Sequence, residues 1–147
     1  MSVFPTKILL ATDGSESAAA AAQTAVELSN KTGSELHVVH VETDIPIALY
    51  GVEIDPESIS QAAWDRLEEQ ERQIEAAGGT VKKTHMKAGN EAEEIVTLGE
   101  SLRAGLIVIG SRGHSIWKRA VMGNVSEDVV RHAHCPVMVV REEEPRN

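Results

Sequence analysis

The chain is 147 residues long, with a formal net charge of −9, an aliphatic rather than aromatic composition and a single cysteine, Cys135. This length suits one domain, residues 1–147, whose core needs no covalent staples, and one cysteine excludes an intramolecular disulfide framework. The acidic balance argues against nucleic acid as a partner, and no apolar run approaches membrane-spanning length or has the flanks of a signal peptide, so a cytoplasmic protein with no membrane partner is expected.

The first apolar run, residues 7–13, is continuous rather than alternating, as in a parallel strand covered on both faces, and ends at Asp13. Ser15 or Ser17 can cap the helix that follows, which is predicted to run to about Ser29 with Ala18, Ala22, Ala25, Val26 and Leu28 as its packing face. A second β-branched run, residues 36–41, carries His37 and His40, which strand alternation places on opposite faces. Residues 42–55, with Pro46, Tyr50 and Gly51, show no period, and a connection of that length often lies beside a ligand or partner. Asp55 and Pro56 have the chemistry of a helix cap and first helical residue. A charged surface helix is therefore expected from there through Trp64, Leu67, Glu71 and Ile74 to Gly78 and Gly79.

Residues 80–86 form a more polar strand, and Lys82 and Lys83 suggest an edge guarded against further pairing. After Gly89, the order Asn90, Glu91, Ala92, Glu93 has the pattern of a capping box. It opens a helix with Ile95, Leu98 and Leu102 on one face, ending near Gly105. Residues 106–109 are wholly apolar and read as a central strand. A second capping-box pattern at residues 124–127 starts a helix with Val125, Val129, Val130 and Ala133 as its apolar positions. Cys135 and Pro136 stop it before a last strand, Val137–Val140, and the acidic tail from about residue 142 to 147 is expected to be mobile.

Five strands alternating with four helices give a single open, five-stranded parallel sheet with helices on both faces. The polar third strand belongs at one edge and the first and fourth strands in the middle, so the predicted order is 3-2-1-4-5. In such a sheet, ligands bind where the winding reverses, beyond the carboxyl ends of the first and fourth strands. Asp13 and Gly110 both stand there. The last strand would be an uncovered apolar edge, which favours a homodimer formed through Val137–Val140.

Residues 110–126 run from the end of a strand, through a glycine-rich loop, to a helix start. Glycines let the backbone approach an anion, and the first amides of a helix supply unpaired donors at its positive end. No acidic residue lies between Glu100 and Glu127, yet Arg103, Arg112, Lys118 and Arg119 do, which is where a phosphate would need them.

Gly110, Gly113 and Gly123 are spaced as glycine, two residues, glycine, nine residues, glycine. With Ala11, Thr12 and Asp13, His40 and Val41, the Gly89 turn and the segment from Cys135 to Val140, this makes the chain resemble the universal stress protein family over nearly its whole length. The resemblance implies a Rossmann-like, adenine nucleotide alpha hydrolase-like fold, a homodimer, and a stress-response or signalling module that binds ATP, with or without Mg²⁺. AMP, ADP or a cyclic nucleotide are alternative ligands. It implies that Asp13 and Val41, with Ala11, Thr12 and Gly89 around them, hold ribose and adenine. It implies in the same way that Gly110, Ser111, Arg112 and Gly113, together with Gly123, Asn124, Val125 and Ser126, hold the phosphates. Asn124 departs from the serine or threonine of the family pattern: its amide can donate to a phosphate, but its carbonyl is also a natural cap for the helix.

Two other readings stand beside this one, a dimeric scaffold without nucleotide function and a slow ATP hydrolase. No Walker-type loop is present, Asp13, Gly14 and Ser15 do not match a pyrophosphatase loop, and no nucleophile constellation can be assembled, so no catalytic residue is named. His132, His134 and Cys135 fit no common zinc spacing, and His114 is as readily an idle surface residue. Trp64 and Trp117 are expected to pack or to face a partner rather than to stack on a base.

Overall fold

The computed structural model describes residues 3–13, 16–43, 55–111 and 124–142. Its elements are β1 (Lys7–Ala11), α1 (Glu16–Thr32), β2 (Glu35–Glu42), α2 (Gln61–Ala76), β3 (Val81–Ala88), α3 (Glu91–Leu102), β4 (Leu106–Gly110), α4 (Asn124–His132) and β5 (Val137–Val140). All four strand pairings are parallel, and the sheet order is β3-β2-β1-β4-β5, as the hydrophobic pattern predicts.

Alternation along the strands divides the core between two layers of helix. Ile8, Leu10, Leu36, Val38, Leu106 and Val108 face one way, packing with Ala21, Ala25 and Val26 of α1 and Leu67 and Ile74 of α2. Leu9, Ala11, Val39, Val41, Ile107 and Ile109 face the other way, with Ile95 and Leu98 of α3 and Val129 of α4. Each such Leu or Ile, fully buried, contributes about 1.5–3 kcal/mol. Trp64 packs against the first cluster.

Several boundaries differ from the sequence expectation. Ser17 lies inside α1 and is buried, so it does not cap that helix, and Ser15 lies outside the described residues. Asp55 and Pro56 do not open α2. The Asp55 carboxylate accepts from the Glu57 amide at 2.9 Å in a short 3₁₀ turn, Pro56–Ser58. The helix then starts at Gln61, because extended Ser60 accepts from the Ala63 amide at 3.2 Å and takes the capping role. β3 runs on to Ala88, since Val41 and Glu42 continue the ladder opposite Lys87 and Ala88. Asn90 does cap α3, accepting from the Glu93 amide at 2.9 Å.

On α4, Val125, Val129 and Ala133 pack in the second layer as predicted, whereas Val130 is 47% exposed and Ser126 is turned inward. The irregular connection at residues 44–54, with Pro46, Tyr50 and Gly51, and the acidic tail at 143–147 lie outside the described residues.

Candidate functional site

β1 and β4 pair with Ile8, Leu9 and Leu10 opposite Leu106, Ile107 and Val108. Asp13 therefore leaves the sheet three residues beyond Leu10, and Ser111 three beyond Val108. From here α1 crosses to the layer it shares with α2, and α4 belongs to the opposite layer. This is the switch point at which an open parallel sheet leaves a crevice. It joins Ala11, Thr12 and Asp13 at the end of β1 with Gly110 and Ser111 at the end of β4, and places Val41 near the end of the neighbouring β2.

The exit of β4 is tightly built. A Cβ on Gly110 would lie 2.6 Å from Ser17 Oγ and 2.7 Å from the Ser17 carbonyl carbon, so only glycine lets the first turn of α1 sit against the strand end. Ser17, Ser111 and Ser126 are each 2% exposed and knit four elements together. The Ser111 amide donates to Val140 O at 2.8 Å, and Ser126 Oγ donates to Ser111 O at 3.2 Å. Ser17 Oγ lies 3.4 Å from both Ser111 Oγ and Val140 O. These hydroxyls are committed inward. What the start of α4 offers to the crevice is its first-turn backbone, which includes Val125 and Ser126. Asn124 is itself the first residue of α4 rather than the residue before it.

Thr12 is held from two sides. Its amide donates to Val39 O at 3.0 Å, and its carbonyl lies 3.3 Å from His40 Nδ1. On β2, Val41 is 6% exposed and packs in the α3 and α4 layer. The next residue, Glu42, ties two further elements to the strand end: Arg66 Nη2 of α2 approaches Glu42 Oε2 at 3.0 Å, and the Gly89 amide donates to Glu42 O at 3.0 Å. Gly89 has φ +135°, a backbone region nearly closed to other residues, and it turns the chain from β3 into α3.

One acidic residue missed by the sequence reading belongs to this region. Glu91, which looked like a member of a capping box, has a carboxyl pushed up to about 7, first by burial and then by the negative field of Asp13. Only the pairing of the β1 exit with the amino end of α3 could have revealed it, and 78 positions separate the two residues in sequence.

Arg112, Gly113, Gly123 and the basic residues Lys118 and Arg119 lie outside the described residues, as do His114 and Trp117, and so does the Asn124 side chain. Arg103 is described and is not part of the crevice: it adopts the left-handed conformation, φ 57°, that ends α3 ahead of the amino end of β4. His132 Nδ1 lies 2.9 Å from Asp128 O, and His134 lies 3.7 Å from Glu100, so the two histidines near Cys135 serve separate neighbours. Burial raises the Cys135 thiol pKa, which lowers its reactivity. Among the described residues no helix is long and apolar enough to cross a membrane.

The model of the universal stress protein family matches residues 5–141. Universal stress protein MJ0531 of Methanocaldococcus jannaschii is 32% identical over 138 residues, covering 92% of this chain and 81% of that protein. The solved structure of MJ0577 from the same organism superposes with a TM-score of 0.78 at 26% identity, covering 97% of this chain and 99% of that one. A universal stress protein family protein from Arabidopsis thaliana, solved with AMP bound, gives a TM-score of 0.66 at 25% identity, with 95% and 93% coverage.

Proposed function

Because the chain belongs to the universal stress protein family, we propose that it is an adenine-nucleotide-binding module, with ATP as the leading ligand, whose conformation and choice of partner depend on the bound nucleotide. The observation that carries this reading is the convergence of the Asp13 and Gly110 exits on one switch-point crevice beside the amino end of α4. The AMP-bound Arabidopsis relative supports an adenine nucleotide in particular.

In this reading the Asp13 carboxylate accepts hydrogen bonds from ribose hydroxyls, with Ala11 and Thr12 forming the floor behind it. Val41 and the Gly89 turn border the adenine. Phosphates take backbone amides from Arg112 and Gly113 and from Gly123, Asn124, Val125 and Ser126, with charge supplied by Arg112, while Gly110 and Ser111, whose amide is committed to Val140 O, form the strand end that borders them. Ser17, Ser111 and Ser126 link this crevice to α1, α4 and β5, so nucleotide occupancy is felt at the sheet edge that carries β5. That edge is the surface we assign to a homodimer.

Asp13→Ala tests the reading by calorimetry with ATP and AMP. Loss of ribose contacts is expected to weaken affinity at least tenfold with the fold retained, and unchanged affinity would remove Asp13 from the site.

A further inference from the structure

Beyond assigning a nucleotide to the crevice, and resting on that assignment, we propose that His40 is a positioning residue that fixes the Thr12–Asp13 peptide from behind and so aims Asp13 into the site. His40 lies on the opposite face of β2 from Val41, in the layer of α1 and α2, and is 8% exposed. Its Nδ1 is 3.3 Å from the carbonyl oxygen of Thr12. A carbonyl only accepts, so Nδ1 carries the proton and donates.

That carbonyl belongs to the same rigid plane as the Asp13 amide. The amide of Thr12 is held by Val39 O on the preceding plane. Consecutive peptide planes are thus anchored to β2, one by its backbone and one by a side chain, just beyond the end of the β1–β2 ladder. Ala11 is the last residue of β1 that pairs with β2.

The other ring nitrogen makes the choice of residue informative. Nε2 is buried and has no hydrogen-bond partner among the described residues, and the Glu42 carboxylate oxygen lies 3.8 Å away. A leucine would fill the same apolar layer without desolvating a polar atom, so packing alone does not favour histidine here. What histidine adds is the Nδ1 donor. Glu42, paired with Arg66, stands on the far side of the ring.

Two substitutions separate positioning from packing. His40→Leu keeps the volume and removes the donor, whereas His40→Asn places its amide nitrogen at the branch position that Nδ1 occupies. The expected result with ATP and AMP is a five- to tenfold loss of affinity in His40→Leu, with thermal stability equal to or above that of the unaltered chain, and recovery of most of the loss in His40→Asn. In an Asp13→Ala background His40→Leu should have no further effect on affinity.

Equal affinity in His40→Leu, or no recovery in His40→Asn, overturns the proposal while leaving nucleotide binding intact. An unaltered chain that binds neither nucleotide overturns both. In the unliganded protein, nitrogen-15 spectra of the His40 ring are expected to show Nδ1 protonated, and a ring protonated at Nε2 alone would overturn the geometry on which the proposal stands.

Discussion

Glu91, the first residue of α3, lies within the electrostatic field of Asp13 at the exit of β1, and this together with its burial pushes its carboxyl up to about 7. An unfolded glutamate ionises near 4.5, so between that value and 7 the folded chain holds a proton that the unfolded chain has lost. The associated stability is present in full below pH 4.5 and is lost as pH rises through 7. Glu91→Gln should therefore raise stability at pH 8 by on the order of 1 kcal/mol, after allowance for partial solvent screening, and should change little at pH 5. Denaturant titrations at the two pH values check this. The same ionisation adds a negative charge beside Asp13, so nucleotide affinity in the unaltered chain should fall between pH 6 and 8, and less steeply in Glu91→Gln.

A second titration acts in the opposite direction. His85 on β3 sits with its Nε2 3.2 Å from Nδ1 of His37, and its pKa is lowered to about 4 by burial first, then by His37, Lys83 and Lys87. Between 6.5 and 4 the unfolded chain binds a proton that the folded chain refuses, so stability declines as pH falls through that window. Because the ring is only half-buried, the screened effect is on the order of 1 kcal/mol. His85→Gln should flatten the acid limb of a stability-versus-pH curve, and an unchanged limb would show that the pair does not govern it.

At Gly110 there is no room for a side chain. Gly110→Ala places a Cβ against the Ser17 backbone at 2.7 Å and 2.8 Å, which a rotamer change cannot relieve. The first turn of α1 must move away from β4, at a cost of about 2 kcal/mol. The thermal midpoint should fall by several degrees, and nucleotide affinity should fall with it, because the same shift widens the crevice between Asp13 and Ser111.

Val130 is 47% exposed on α4, a helix that packs against the edge strand β5. If the homodimer forms along that edge, Val130→Lys should weaken self-association about tenfold while leaving the thermal midpoint of the dissociated chain within a degree or two. Light scattering across a dilution series reads this directly. Undiminished association in Val130→Lys would place the contact elsewhere.

The topology was legible because each strand declared its position: Ile8 to Ala11 and Leu106 to Ile109 are apolar without alternation, as buried central strands must be, whereas Lys82 and Lys83 mark an edge. The crevice followed from that order and from Gly110. Local competition was less readable. Asp55, Ser58 and Ser60 all have capping chemistry, and which of them starts a helix depends on the Ser60 backbone turning extended. Val130 is left outside the apolar face that periodicity gave it, and Ser126 is turned inward because its Oγ finds the Ser111 carbonyl, a partner visible only once β4 and α4 are packed. His40 and Glu91 have the same origin: each acts on the β1 exit from a different strand or helix, and neither spacing nor composition links it to Thr12 or Asp13.

Nucleotide binding is tested most directly by releasing small molecules from the freshly purified protein with acid, identifying them by chromatography, and titrating the emptied protein with ATP, ADP, AMP and cyclic nucleotides by calorimetry. An adenine nucleotide bound at one per chain is expected, with affinity weakened at least tenfold by Asp13→Ala. A folded chain that releases no nucleotide and gives no heat with any of them would contradict it, and would leave the crevice as inherited architecture in a scaffold protein.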